Sequence, residues 1–358
     1  MNRSLIFLTS LLILMSSFQA FSFQKVDELL ADPDITWVGE VYVDFFPNAR
    51  ITEPVDAKTE KRYGVKDYNI FEILKAQNAA SDDWHEPIRN QLSERLLELN
   101  ANNLNVYEDA DLTKKLSYKA YQKAVKSEKI DTIITFDPQT FEEIVQVIVR
   151  DLRIREVVQF KVKYILAYNS KTNQLTIVPL AIAPILPLTY TPMKALFWMP
   201  VQAFFESINL ESPSIDWAKR LTKDVPSESV KTIKGTGTVL DIFDQMLAYY
   251  KANPSTSELY YSFYKNKLTP FETSDIELLG SSIDTIITFN PDTFEEIVEV
   301  VKSDIAPQFA TKIRLIQDWV WDNKTQKMQI RVLGYGPVLK RIDYRPLYWP
   351  FYYIKAKK

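Results

Sequence analysis

The 358-residue chain contains no cysteine, one histidine and seven glycines, and each shortage removes a class of function. Without cysteine there is no disulfide framework, so stability rests on core burial alone. Nor can the chain carry a lipid on an N-terminal cysteine. A Cys/His zinc site cannot be assembled around a single His85. That residue, in "DDWHEP", precedes Pro87 at a helix start and reads as a surface or capping histidine; no nucleophile-elbow motif accompanies any Ser. The few glycines form neither G-x-G-x-x-G nor G-x-x-x-x-G-K, and "GTG" at Gly235 to Gly237 reads as a linker. Neither sign of charge dominates: 43 Lys and Arg face 46 Asp and Glu, which argues against a nucleic-acid binder. No apolar run after the first residues approaches the length of a membrane-spanning helix.

What is present begins with an export signal. Asn2 and Arg3 give a short positive start, Leu5 to Met15 is apolar apart from Thr9 and Ser10, and Ala20-Phe21-Ser22 offers a cleavage site after Ser22. Residues 1–22 are therefore expected to be a signal peptide.

The next feature is internal repetition. "DTIITFDPQTFEEIVQV" (Asp131 to Val147) returns as "DTIITFNPDTFEEIVEV" (Asp284 to Val300), with 14 of 17 residues identical. The alignment continues without a gap from Asp131–Pro184 onto Asp284–Pro337. Weaker landmarks accompany it: "LFW" (196–198) on "LYW" (347–349), "LNVYEDADL" (104–112) on "LTPFETSDI" (268–276), "NIFEIL" (69–74) on "DIFDQML" (241–247), and "ITW" (35–37) on "IDW" (215–217). This predicts an α+β fold of two tandem copies of a small module of β-hairpins packed with one or two helices. A diverged first module is expected at 23–200, a linker and module edge at 201–238, and a second module at 215–353.

Apolar spacing predicts helices at Tyr68–Ala79, Pro87–Leu99 and Val239–Lys251. Asp131–Phe136 reads as a strand followed by a Pro turn. Residues 138–149 fit either a helix or the return strand of a hairpin; β-branching favours the hairpin. Clearer hairpins flank "NSKTNQ" and "DNKTQK". In the second of these, pairing Asp322 with Lys327 sets Asp318 opposite Arg331; the first has Ile165 opposite Val178. The first module is thus expected to bury a face, under its own chain or a partner, that the second leaves wet.

No catalytic constellation emerges. Glu142-Glu143 and Glu295-Glu296 are adjacent carboxylates that a strand would point to opposite faces, not across a cleft. No cofactor or metal is expected, and a carboxylate-dependent hydrolase is the weakest reading. Aromatics crowd the last forty residues. They serve either as core or as an interface, and the candidate partner interface is Trp319, Trp321, Arg331, Tyr344, Trp349 and Tyr353.

The stretch "RLIQDWVWDNKTQKMQIRVLGYGPV", with "DYRPLYWPFYY" after it, resembles the gliding-motility protein N family (GldN/PorN) of the type IX secretion system of Bacteroidetes. The resemblance rests on Trp319, Val320, Trp321, Asp322, Met328, Ile330, Arg331, Val332, Leu333, Gly334, Pro337, Trp349 and Tyr352, with Trp217 and Lys219 upstream. It covers about 215–353 well. The first module departs from it, with Leu166, Asn169, Val178 and Ala181 in place of Trp319, Asp322, Arg331 and Gly334. The resemblance implies a non-enzymatic structural component, periplasmic and tied to the outer membrane through partners. Those partners would be an outer-membrane lipoprotein of GldK/PorK type, the periplasmic part of a GldM/PorM type protein, and further copies in a ring. The alternative is a periplasmic ligand- or lipid-binding protein using the apolar 175–188 region.

Overall fold

A computed structural model describes residues 21–45, 68–69 and 92–356, apart from 98, 126–127, 137–138, 141, 152–158, 187–193, 204–211, 257, 265–266, 305–306 and 343–345. The signal segment up to residue 20, His85, and the expected helix over 70–79 lie outside the described residues.

Helix α1 (Phe21–Ala31) leads into β1 (Ile35–Phe45), followed by β2 (Tyr68–Asn69), α2 (Leu92–Leu97) and α3 (Tyr118–Val125). Then come β3 (Glu128–Phe136), β4 (Glu143–Asp151), β5 (Gln159–Asn169), β6 (Gln174–Leu186), β7 (Lys194–Ala195) and β8 (Met199–Ala203). The second half has β9 (Ile215–Pro226), β10 (Lys231–Lys234), α4 (Val239–Ala252), β11 (Leu259–Tyr264), β12 (Lys267–Pro270) and α5 (Thr273–Leu278). It ends with β13 (Ser281–Phe289), β14 (Glu296–Asp304), β15 (Ala310–Asp322), β16 (Lys327–Ile342), β17 (Pro346–Pro350) and β18 (Tyr353–Lys355). The fold is largely β with some helices.

One 14-stranded sheet runs β10-β1-β5-β6-β8-β16-β15-β9-β2, with the shorter strands attached beside it. Strand β8 joins the halves, antiparallel to β6 and parallel to β16. The inward positions alternate as the pleat requires. Phe160, Val162, Tyr164, Leu166 and Tyr168 of β5, and Ile313, Leu315, Trp319 and Trp321 of β15, enter one common core. The Tyr164 hydroxyl donates to Gln317 Oε1 at 2.7 Å, and the Tyr335 hydroxyl donates to the Leu175 carbonyl at 2.6 Å. Phe45 meets Trp319 at 4.8 Å between ring centroids.

The two halves repeat their pairings. Ile165 faces Val178 and Asp318 faces Arg331, as the hairpin register predicts. Both hairpins bulge at the equivalent place, the extra residue being Leu180 in one and Leu333 in the other, and β15–β16 has a second irregularity between Ala310 and Lys312. Residues 143–151 form a strand, which settles the helix-or-strand alternative.

Three expectations are corrected. Tyr68 and Asn69 are a strand paired with Arg220 and Lys219, not a helix start. The 201–238 linker holds β9, β10 and the end of β8; β10 pairs with β1, stitching the halves together. Within it, Gly235 and Gly237 adopt positive φ in a tight turn, where a side chain on Gly235 would strike the Thr36 carbonyl at 2.3 Å. Two landmarks also shift. Tyr107 pairs with Trp198, and Tyr260 with Tyr353. So 106–107 matches 259–260, not 270–271, and Trp198 matches Tyr353, not Trp349. Short aromatic strings misled because strand position follows pairing rather than composition.

The outward faces differ as the charge pattern suggests. In the first half Ile165, Val178, Leu180 and Ala183 form a second apolar layer. Its lid is this chain itself: Val26 and Leu29 of α1 pack on it, as do Tyr107, Ala110 and Leu112. In the second half the equivalent face is ionic, but it is not a loose surface pair. Arg220 grips Asp318 in a bidentate pair (2.6 and 2.7 Å), and Arg314 grips Asp224 (2.6 and 2.8 Å). Register explains this, because Asp318 stands opposite Arg220 on one neighbouring strand as well as Arg331 on the other.

Both faces are therefore sensitive to substitution. Ile165→Asp is expected to cost on the order of 3 kcal/mol or more in the isolated protein, because its lid is intramolecular. Asp318→Ile is expected to cost about 2–3 kcal/mol, since the Arg220 side chain is only 10% exposed and loses a bidentate partner. Denaturant midpoints of the two variants check both. A loss under about 1 kcal/mol for either, as at an exposed pair, would contradict the assignment of that face.

Candidate functional site

The residues singled out for an interface separate once placed. Trp319 and Trp321 are fully buried, and Tyr353 is 3% exposed. Register points the two tryptophans into the common core, while Tyr353 lies on the other face of its strand against Arg314, so none of the three is open to a partner in the folded chain. Arg331 is half-buried beside Asp318, and Trp349 is half-buried opposite Leu339 on β17. Tyr344 lies outside the described residues.

Exposed apolar surface lies elsewhere, on the two repeated hairpins. β3–β4 and β13–β14 are two-stranded sheets separate from the main sheet. In the second, Ile287 pairs with Val298, Thr285 with Val300 and Phe289 with Glu296 on one face; Ile286 pairs with Glu299 on the other. All eight are exposed. Ile287 is 55% exposed, Phe289 64% and Val300 64%, far from what a core strand shows. The first hairpin repeats the pattern with Ile134, Phe136 and Val145.

The tip of the second hairpin is built around Asn290. Its side-chain carbonyl accepts from the Asp292 and Thr293 amides, and its backbone pairs with Glu295 and Phe294. Phe294 sits at φ 57°, 79% exposed. A bulky aromatic in the left-handed region is uncommon and costs backbone strain. Glu142, Glu143, Glu295 and Glu296 rim these tips and are solvated. Sequence reading treated the seventeen residues as a structural repeat. The available signal was Ile286-Ile287 and Ile297-Val298, which places apolar residues on both faces of a strand that joins no core.

The apolar 175–188 stretch is filled by its own chain. Leu175, Ile177 and Ile182 enter the common core, Val178, Leu180, Ala181, Ala183 and Ile185 lie in the layer under the intramolecular lid, and 187–188 fall outside the described residues. A cavity remains beside it, lined by Val26, Leu112, Ile165 and Leu180 around an ionic cluster. There Lys163 Nζ lies 2.7 Å from Glu40 and 2.5 Å from Asp111. Burial works to lower the lysine's pKa, but the hydrogen bonds to Asp111 and Glu40 outweigh it and hold the ammonium above its ordinary range.

A family comparison now bears on this geometry. Residues 68–205 match the family model described as "Gliding motility associated protein GldN". The similarity covers 138 of the 358 residues. The match spans β2 to the end of β8 and includes the first exposed hairpin. It falls on the half in which the motif resemblance is weaker, whereas the motifs quoted above lie at 215–353. The family that this stretch is similar to is described by its part in gliding motility. No curated protein matches the chain. No helix among the described residues is long and apolar enough to cross a membrane.

The core that carries the hairpins has a pH signature. Burial pushes the Tyr250 phenol up to about 12, and pushes Tyr164, Tyr335 and Tyr352 further up. A folded pKa above the unfolded value of about 10 means that stability is full below pH 10 and is lost as pH rises. Unfolding is expected to set in above pH 10, with phenol ionisation and loss of secondary structure coinciding. Tyr335→Phe should lower stability at pH 7 by about 1 kcal/mol and make the alkaline slope shallower. Phenols that titrate near pH 10 in a still-folded protein would refute the buried assignment.

Proposed function

We propose that this chain is a non-enzymatic, periplasmic structural component of the type IX secretion and gliding machinery, built from two copies of one module. In this reading it assembles at the outer membrane with a lipoprotein of GldK/PorK type. It also meets the periplasmic part of a GldM/PorM type protein and associates with further copies of itself. The observation that carries the proposal is the family match over 68–205. The export-like N-terminus, the stretches with only solvated paired carboxylates and the exposed hairpins support it. The contact residues in this reading are Trp349 and the hairpins; Arg331, half-buried, is at most a rim contact.

Deleting the gene is expected to abolish or strongly reduce secretion of type IX cargo or gliding. The protein should fractionate with the outer membrane only while its lipoprotein partner is present. Normal secretion and motility in the deletion strain, with no second family member expressed, would overturn the proposal.

Two-copy architecture is supported by the matched pairings and by the bulges 153 positions apart. Exchanging the hairpins, with 281–304 placed at 128–151 and the reverse, should leave the denaturant midpoint within about 0.5 kcal/mol of the parent. Loss of folding in the exchanged chain would show that the hairpins are not equivalent structural units.

A further inference from the structure

The two small sheets, β3–β4 and β13–β14, are nearly alike where the strands that carry them are not. Strand β5 and the matching part of β15, Gln159–Asn169 against Lys312–Asp322, share no residue at eleven equivalent positions and still line one core. The hairpins keep 14 of 17 residues, and "IDTIITF" is unchanged at 130–136 and 283–289. Exposure repeats with the sequence. Ile134 and Ile287 are each 55% exposed, and Phe136 and Phe289 are 65% and 64% exposed. The cross-strand partners repeat as well: each Ile faces a Val and each Phe faces a Glu. Both halves thus present one apolar pattern to solvent.

Each hairpin is one strand short of a stable sheet. Among the described residues no further strand pairs with β3 or with β13. Two strands alone are marginal in water, whereas three with an apolar face hold together. An open edge also carries a row of backbone donors and acceptors, a template for one more strand. Both strands of each sheet have an open side, and β3 and β13 are the pair that share seven identical residues. In the second hairpin the face beside that edge is apolar, with Ile287 and Phe289 on β13 and Val298 and Val300 behind them on β14. Edge and face together suit an extended segment. Main-chain hydrogen bonds hold such a segment, and its alternate side chains meet the exposed ones.

Charge narrows the kind of segment. The second hairpin holds six acids against Lys302, and the first holds six against Lys129 and Arg150. Glu142, Glu143, Glu295, Glu296 and Glu299 are exposed. This excess disfavours a second acidic hairpin and an anionic lipid surface alike, and it favours a basic strand.

We propose that β3 and β13 each receive an added strand from one partner protein, the same extended segment at both edges, in which apolar and basic residues alternate. Its apolar side chains lie beside Ile134 and Phe136 in one hairpin and beside Ile287 and Phe289 in the other. Its basic side chains answer the acidic excess. The inference deepens the structural role proposed above by giving the chemistry of a partner, and it rests on that reading.

The test places benzoylphenylalanine, a photo-reactive side chain, at Phe136 or at Phe289 of the full chain in its native cells. Adducts are mapped by mass spectrometry. The expected result is one partner protein and one segment from both positions, with apolar and basic residues in alternation. Ile134→Lys should lower the Phe136 adduct at least about tenfold and leave the Phe289 adduct unchanged, and Ile287→Lys should do the reverse. Ile134→Val and Ile287→Val should preserve both adducts. Circular dichroism confirms that each variant folds. The mapped segment, made as a synthetic peptide, should slow amide exchange of the purified chain at 130–136 and 283–289. Several results would each overturn the proposal: no adduct from folded protein, adducts only to lipid or to another copy of this chain, different segments at the two hairpins, or no slowing of exchange. Returned to the deletion strain, the double variant Ile134→Lys with Ile287→Lys separates the two readings. A deletion without phenotype removes the machinery role. A deletion phenotype that the double variant fully restores removes only the strand addition.

Discussion

The fold depends on one constraint: the inward faces of both halves close on the same core. Tyr164 and Gln317 occupy equivalent places in the two halves, 153 positions apart, and hydrogen-bond to each other at its centre. Such a contact forms only where β5 and β15 face one another. Tyr335 reaching the Leu175 carbonyl repeats the arrangement nearby. These phenols are fully buried, so an unmade bond would leave a desolvated hydroxyl or carbonyl, and register is fixed on both sides. Strand β8, paired to β6 and to β16, makes the sheet continuous rather than leaving two domains in contact.

With the inner face fixed, the outer faces are free to differ, and they do so by different physics. The first half covers its outer layer with α1 and the 107–112 segment, so apolar residues at Ile165 and Val178 are stable there. The second carries two bidentate ion pairs at the corresponding level. Arg314 pairs with Asp224 as Lys161 pairs with Asp44 at 3.6 Å, so one ion-pair position persists in both halves with different strength. Arginine's planar fork explains the shorter, bidentate version.

Much of this was legible in the sequence. Hairpin register followed from turn residues and charge, and Asp318 opposite Arg331 emerged correctly. Burial at Ile165 followed from loss of alternation. What failed had a common cause. Landmarks such as "LFW" and "YEDADL" were matched by composition, while the structure aligns them through pairing with β6 and β16. Aromatic richness does not reveal which face of a strand looks inward, so of the two readings open for Trp319 and Trp321, core or interface, the structure selects core. The grip of Arg220 on Asp318 needed a third strand, 98 residues away, that no local pattern announces. The exposure of the hairpins was hidden for the opposite reason: apolar residues on both faces ordinarily mean double burial.

That last exception carries the functional weight. A two-stranded hairpin alone in water is marginal, and exposed strand edges invite unwanted pairing. Proteins blunt such edges with charge, and here acids dominate around an apolar face, six against Lys302 in the second hairpin and six against Lys129 and Arg150 in the first. The acidic excess disfavours pairing of one hairpin with another. Strand β5 and the matching part of β15, Gln159–Asn169 and Lys312–Asp322, share no residue at eleven matched positions and yet line one core. The hairpins contribute little to that core and stayed nearly alike. Internal packing alone does not explain this contrast, since it would constrain the strands and release the hairpins.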